Sequence, residues 1–213
     1  MKPDRSDVKP KYWDRAKRAL ARRDSVMQAI IRSRPGVYLM RRGEPFLTLA
    51  RAICGQQISV KAAQSVWDRI CVCLDQEITP QAVLAQDRKK LRSCGLSDRK
   101  TEYIADLAQH FADGSIRVQR WPAMSDEEII AELVEVRGIG RWTAEMFLIF
   151  NLLRPDVFPL DDLGLQKGIR VSYFRGRKVS LARMRKLGES WRPWRSVATW
   201  YLWRSLDPVP VEY

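Results

Sequence analysis

Apolar residues recur at intervals of three and four along nearly the whole chain, and no window alternates apolar with polar convincingly enough for a strand. Phe46, Leu49, Ala50 and Ile53 form one such series, and Val66, Ile70 and Leu74 another. This spacing lays an apolar stripe along a helix, whereas a half-buried strand needs a period of two. The fold class that follows is all-α, with roughly ten helices. Start and stop signals agree with it. Ser59 precedes a helical pattern, Thr79-Pro80 opens another, Ser97 precedes a third, and Ser125 with Glu128 has the spacing of a capping box. Gly95, Gly114, Gly138 and Gly188 stand where helices are expected to end. No repeat of fixed period and no low-complexity tract interrupts the pattern.

With 213 residues, 46% of them apolar, the chain can bury one substantial core or two small lobes. Its 38 Lys and Arg outnumber 25 Asp and Glu, for a net charge of +13, which favours polyanionic partners and salt-sensitive association. Nucleic acid leads, and an anionic membrane surface comes second. A span would need about 20 apolar residues, and the longest run, Met146 to Phe150 extended by Leu152 and Leu153, is too short. The proline-broken polar start resembles neither a signal peptide nor a lipidation site. The expected location is intracellular: cytoplasm or nucleoid in a bacterium, nucleus in a eukaryote. Cys54, Cys71, Cys73 and Cys94 lack zinc or iron–sulfur spacing, and His110 is the single histidine, so no metal cofactor is expected.

The most informative stretch is VRGIGRWTAEMFLIFNLLRPDVFPLDD, residues 136 to 162. Gly138-Ile139-Gly140 follows a helical pattern that begins at the Ser125 capping box. A dinucleotide fingerprint would want a preceding strand and a third glycine at position 143, which is Thr143. Two glycines between two helices instead let the backbone approach a partner and aim amides of the next helix outward, a nest suited to phosphate. Arg137 and Arg141 flank it with charge. An ordinary corner between helices explains the same pattern.

Asp161 and Asp162 follow a proline turn and precede another helical pattern. Capping is the plain role for at least one of them. A carboxylate at a helix start is also held as an anion by the dipole and amides, which suits a group meant to face developing positive charge. Pattern alone does not choose between the two.

LVEVRGIGRWTAEMFLIF, FPLDDLGLQKG about twenty residues on, LARAICGQQIS upstream and WRPWRSVATWYLW near the end together resemble the helix-hairpin-helix DNA glycosylases. Within them the chain looks like the 3-methyladenine DNA glycosylase II branch, over about residues 20 to 206. The resemblance implies two helical lobes with a cleft between them, 45–154 carrying the hairpin and 1–44 plus 155–213 carrying the catalytic acid. Longer members have an additional N-terminal β-rich domain, for which this chain has no room.

The same resemblance makes Asp162 the catalytic carboxylate, with Asp161 its neighbour or cap. It implies a double-stranded DNA partner with alkylated bases, acted on by a monomer. The hairpin residues Gly138 and Gly140, with Arg137, Arg141 and Thr143, would grip the backbone, and its carbonyls would hold a monovalent cation when DNA is bound. A damaged base must be rotated out of the duplex to be reached. Breaking its N-glycosidic bond builds positive charge on the sugar, which an anionic Asp162 near C1′ would stabilise while orienting or deprotonating water. A purine alkylated at N3 or N7 is cationic and leaves without needing a proton. Trp faces attract such a cation, and the match selects Trp142 and Trp203, with Met146 where some relatives have an aromatic. Trp191, Trp194 and Trp200 read as core.

Relatives that also cut the backbone have a lysine where this chain has Trp142, so the expectation is a monofunctional glycosylase. Lys167 reads as a solvated or phosphate-facing charge. In CGQQISV the plain reading is a turn capped by Ser59. The resemblance instead makes Gln57 the side chain that fills the gap left by the extruded nucleotide, a disruption of a few kcal/mol. Ser97 enters the same groove or is a plain cap. The competing readings are a bifunctional glycosylase and lyase for oxidised bases, and a non-catalytic module that only grips DNA. Basic runs such as FRGRKVS at 174 to 180 could track phosphates or face solvent.

Overall fold

A computed structural model describes residues 9–206. Residues 1–8 and 207–213, which fall in the expected second lobe, lie outside the described residues. Every regular element among the described residues is helical. The twelve α-helices are α1 Trp13–Arg23, α2 Ser25–Arg32, α3 Pro45–Gly55, α4 Val60–Cys73, α5 Pro80–Leu84, α6 Arg88–Ser93, α7 Asp98–Ala112, α8 Asp126–Val134, α9 Arg141–Phe150, α10 Leu163–Phe174, α11 Leu181–Glu189 and α12 Arg195–Leu206. A 3₁₀ turn, Val118–Ala123, precedes α8. The excess over ten comes from short pieces such as α6, whose six residues are too few to display a 3.6-residue period. None of the described helices is long and apolar enough to cross a membrane.

The chain divides into two compact units, one of residues 42–147 and one of residues 9–41 with 148–206. In the first, α3 packs on α4 and α7, and α5 also lies on α7. Its buried residues include Phe46, Leu49, Ile53, Ile70, Leu107, Trp121, Leu133 and Phe147, the apolar positions of the three-and-four pattern. Trp121 meets Phe147 edge-on at 5.3 Å between ring centroids and donates its indole N–H to Glu132 at 2.7 Å, so its polar end is satisfied inside the core.

In the second unit α1 packs on α2 and α12, and α10 packs on α12. Trp13 lies edge-on to Trp200 at 5.2 Å and stacks near Tyr201. Asp24 links three elements there. Its Oδ1 caps α2 by accepting from Met27 N at 2.9 Å, while Oδ2 accepts from Tyr173 OH at 2.6 Å and Trp191 Nε1 at 3.1 Å. Trp191 and Trp200 are core, as their spacing indicated, whereas Trp194 is half-buried.

The expected caps form. Ser59, Thr79 and Ser97 each accept from a backbone N–H of the following helix, and Ser125 with Glu128 closes a complete capping box. Each such cap stabilises a helix start by about 1 kcal/mol. Gly188 does not end a helix. It lies within α11 and is buried, and a Cβ there would stand 2.5 Å from Phe158 Cζ. Its smallness serves packing against that ring.

Candidate active site and nucleic-acid hairpin

Pro159 to Asp162 form a tight turn, closed by Asp162 N donating to the Pro159 carbonyl at 2.9 Å, and the two acids part company there. Asp161 is exposed, while Asp162 is 7% exposed and is the N-cap of α10. Asp162 Oδ1 accepts from Leu165 N at 2.6 Å and from Trp203 Nε1, on α12, at 2.8 Å. Capping therefore falls on Asp162, the same residue to which the resemblance assigns the catalytic role, and not on its neighbour. A carboxylate acceptor facing two N–H donors at a helix start is held in one orientation, with the partial positive end of the helix beside it.

Trp203 is positioned from its other side by Phe150. The two rings are nearly parallel, 12° apart, with centroids at 5.7 Å. Gly164 explains how indole and carboxylate come so close. A Cβ at that position would stand 3.1 Å from Asp162 Oδ1 and 3.3 Å from Trp203 Cδ1 and Nε1. One turn later Gly168 does the same for the backbone, since its Cβ would lie 3.2 Å from Leu202 O. Two glycines four apart on α10 thus let α12 approach closely. The turn ahead of Asp162 is tied to the start of α12 as well. Arg195 pairs with Asp156 at 2.9 Å, and Ser196 Oγ accepts from Val157 N at 2.9 Å.

The hairpin lies in the first unit. Gly138 has φ +83°, in the left-handed region, and a Cβ on it would collide with Tyr103 Cδ2. The Tyr103 ring lies directly against this glycine, so position 138 requires glycine for both conformation and space. The Gly138 carbonyl accepts from Gln56 Nε2 at 2.8 Å. Gln56 caps α3, and Lys100 Nζ donates to the carbonyls of Cys54 at 2.8 Å and Gln56 at 2.7 Å. A cation on the last carbonyls of a helix is favourable. Burial holds the Lys100 ammonium below the usual lysine range.

Immediately after this anchored carbonyl stands Gln57, exposed and at φ 59°. A left-handed residue other than glycine costs on the order of 1 kcal/mol or more, and such outliers gather at working sites. Ser97 is exposed and makes the cap of α7, its Oγ accepting from Lys100 N at 3.3 Å. Arg137 projects outward with 71% of its side chain exposed, while its backbone N–H donates to Asp106 at 2.8 Å. Arg141 is clamped between Glu127, at 2.5 and 2.9 Å, and Glu145, at 3.1 Å. The hydrogen bonds to Glu127 raise the affinity of its guanidinium for the proton. Gly140 and Trp142 are exposed and Thr143 is half-buried. Trp142 shows 38% of its surface, and Met146, one turn on along α9, is buried at 7%.

The residues that pattern reading missed are Phe150, Gly164, Tyr103, Lys100 and the Gln56 side-chain link. Only the glycines offered a signal, because two small residues four apart in a helix announce a close neighbour. Among the described residues no group of three or more His, Cys, Asp or Glu could hold a metal ion.

Sequence comparison says which family this helical chain, with its glycine hairpin and its capped carboxylate beside an indole, belongs to. Residues 50–193 match the HhH-GPD superfamily of base excision DNA repair proteins, in which HhH denotes the helix-hairpin-helix, and the chain belongs to that family. It is 36% identical over 169 residues to DNA-3-methyladenine glycosylase 1 of Schizosaccharomyces pombe, covering 78% of this chain and 74% of the relative. A DNA-3-methyladenine glycosidase of Bacillus halodurans superposes with a TM-score of 0.84 at 31% identity, over 97% of this chain and 93% of that one. The 3-methyladenine DNA glycosylase of S. pombe, solved in complex with abasic DNA, superposes with a TM-score of 0.76 at 32% identity, over 93% and 98% of the two chains. These are the relatives that the four sequence motifs indicated.

Proposed function

We propose that this chain is a monofunctional DNA glycosylase that, as a monomer, releases alkylated purines such as 3-methyladenine and 7-methylguanine from duplex DNA and leaves an abasic site. The observation that supports it most directly is Asp162: a buried carboxylate fixed at a helix start by Leu165 N and Trp203 Nε1. An anion so fixed is suited to oppose charge developing at C1′ of the sugar, without reorganising when the bond breaks. It would also orient the attacking water. Trp203 offers a ring face next to the carboxylate, and Trp142 offers an exposed aromatic on the first unit. Both ring types suit a cationic base. No lysine occupies position 142, so the Schiff base of a strand-cutting relative has no nucleophile there.

In this reading the Gly138–Gly140 hairpin and Arg137 bind the phosphate backbone, and Gln57 fills the gap left by the extruded nucleotide. The hairpin carbonyls would hold a monovalent cation when DNA is bound. Arg141 contributes through Glu127 and Glu145 rather than as a lone cation, because those acids engage it. The relatives' names and the abasic DNA bound to the S. pombe enzyme support the substrate class.

The test is release of free base from methylated duplex DNA by wild type and Asp162→Asn, with strand breaks assayed before and after alkali. Release by wild type alone, with breaks only after alkali, is expected. Tight duplex binding without release by either protein would replace the proposal with a lesion-binding module.

A further inference from the structure

The FRGRKVS run is left over by every role assigned so far. Between Asp162 and Glu189 the sequence carries eight Lys or Arg and no acid. Six of them, Arg175, Arg177, Lys178, Arg183, Arg185 and Lys186, are exposed, on the α10–α11 connection and on α11. In the same unit Arg192 and Arg195, by contrast, are neutralised locally by Asp156 and Glu189. Among the described residues none of the six makes an ion pair. Like charges concentrated without counter-ions repel one another, so the arrangement works against the fold unless a polyanion meets it.

The backbone adds an independent observation. Arg175 ends α10 in the left-handed region, at φ 51°, and Gly176 follows at φ +78°. Glycine or asparagine would stop the helix at 175 with less strain. The chain holds a cation there instead. Arg183 is steadied as well, its guanidinium lying 4.9 Å from the Phe174 ring centroid, which restrains a long side chain before any partner arrives.

We infer that the α10–α11 segment is a second DNA-backbone surface, carried by the unit that holds Asp162 and separate from the hairpin of the first unit, and that it engages phosphates of the duplex flanking the lesion. The inference rests on the proposed DNA substrate. It calls for no base readout, so its contribution is independent of sequence and steep in salt.

The experiment measures affinity by fluorescence anisotropy for a short and a long duplex, each with a stable abasic-site analogue, between about 50 and 200 mM salt. Wild type is compared with R177Q/K178Q/R183Q and with R177Q/K178Q, whose changes lie outside any helix and leave the helices intact. For the triple variant the slope of log affinity against log salt should fall by roughly 0.9 for each phosphate no longer neutralised, about two to three in all, on the long duplex only. The loop variant should fall by about two. Base release at saturating DNA should not change. Wild-type slopes in both variants overturn the inference. So does weaker binding of the variants to phosphatidylserine vesicles with duplex affinity intact, which would assign the surface to lipid. Failure of the glycosylase proposal has a different signature, namely wild type that ignores both duplexes and releases no base.

Discussion

The indole N–H of Trp203 reaches Asp162 Oδ1 at 2.8 Å, the same oxygen that accepts the Leu165 amide at 2.6 Å, so the helix start and the aromatic orient one carboxylate together. Trp203→Phe keeps a ring to stack on Phe150 and removes only the donor. A hydrogen bond to a charged group is worth about 1.5–3 kcal/mol, so single-turnover base release should slow about tenfold to a hundredfold. Affinity for abasic-site DNA should hold. Equal rates for variant and wild type would show that the bond does not position the acid.

Gly164→Ala and Gly168→Ala should separate activity from stability. The first would place a methyl 3.1 Å from Asp162 Oδ1 and 3.3 Å from Trp203, side chains that can shift by a few tenths of an ångström. A gain in helix propensity of about 1 kcal/mol roughly offsets that strain, so Tm holds while base release falls. The second would press on Leu202 O at 3.2 Å, where the backbone of α12 cannot yield locally. A loss of about 1–3 kcal/mol in a denaturant titration is expected. The reverse order of stabilities would show that α12 moves freely against α10.

Glu127 is held below its ordinary value of 4.5 by the hydrogen bonds from Arg141. A carboxylate whose folded value is lowered contributes stability above the unfolded value and loses it as pH falls through the folded one. The gap in Tm between wild type and Glu127→Gln should therefore be present at neutral pH and shrink progressively below pH 4.5. A gap of constant size at all pH values would assign the effect to packing.

Burial pushes the Cys54 thiol up to about 12. At neutral pH it carries almost no thiolate, and iodoacetamide should leave it unmodified in the folded protein and label it after unfolding. Peptide mapping by mass spectrometry distinguishes it from Cys71, Cys73 and Cys94. Rapid labelling of native Cys54 would mean that α3 opens readily.

The helices and their caps were legible because their determinants are local. Ser125 and Glu128 are three residues apart, and the apolar stripe of α3 fits within eleven residues. Pattern did not choose between Asp161 and Asp162, which look alike until one is buried; only the resemblance singled out 162. The partners that fix the hairpin and those that fix Asp162 were hidden for another reason. Gln56 meets Gly138 across 82 positions, and Trp203 meets Asp162 across 41. No periodicity carries such information. Gly188 misled because glycine serves two ends: it permits left-handed backbone, and it also makes room, here for the Phe158 ring.

Gln57 already has its left-handed backbone while the carbonyl before it is pinned by Lys100. Folding has thus settled in advance the entropy of ordering this loop. In the role proposed for Gln57, the arriving duplex meets a preset element and need not wait for it to rearrange. Loosening the pin, as in Lys100→Met, would shift that ordering from the birth of the protein to each encounter, and the change would register in association rate before it registered in the melting curve.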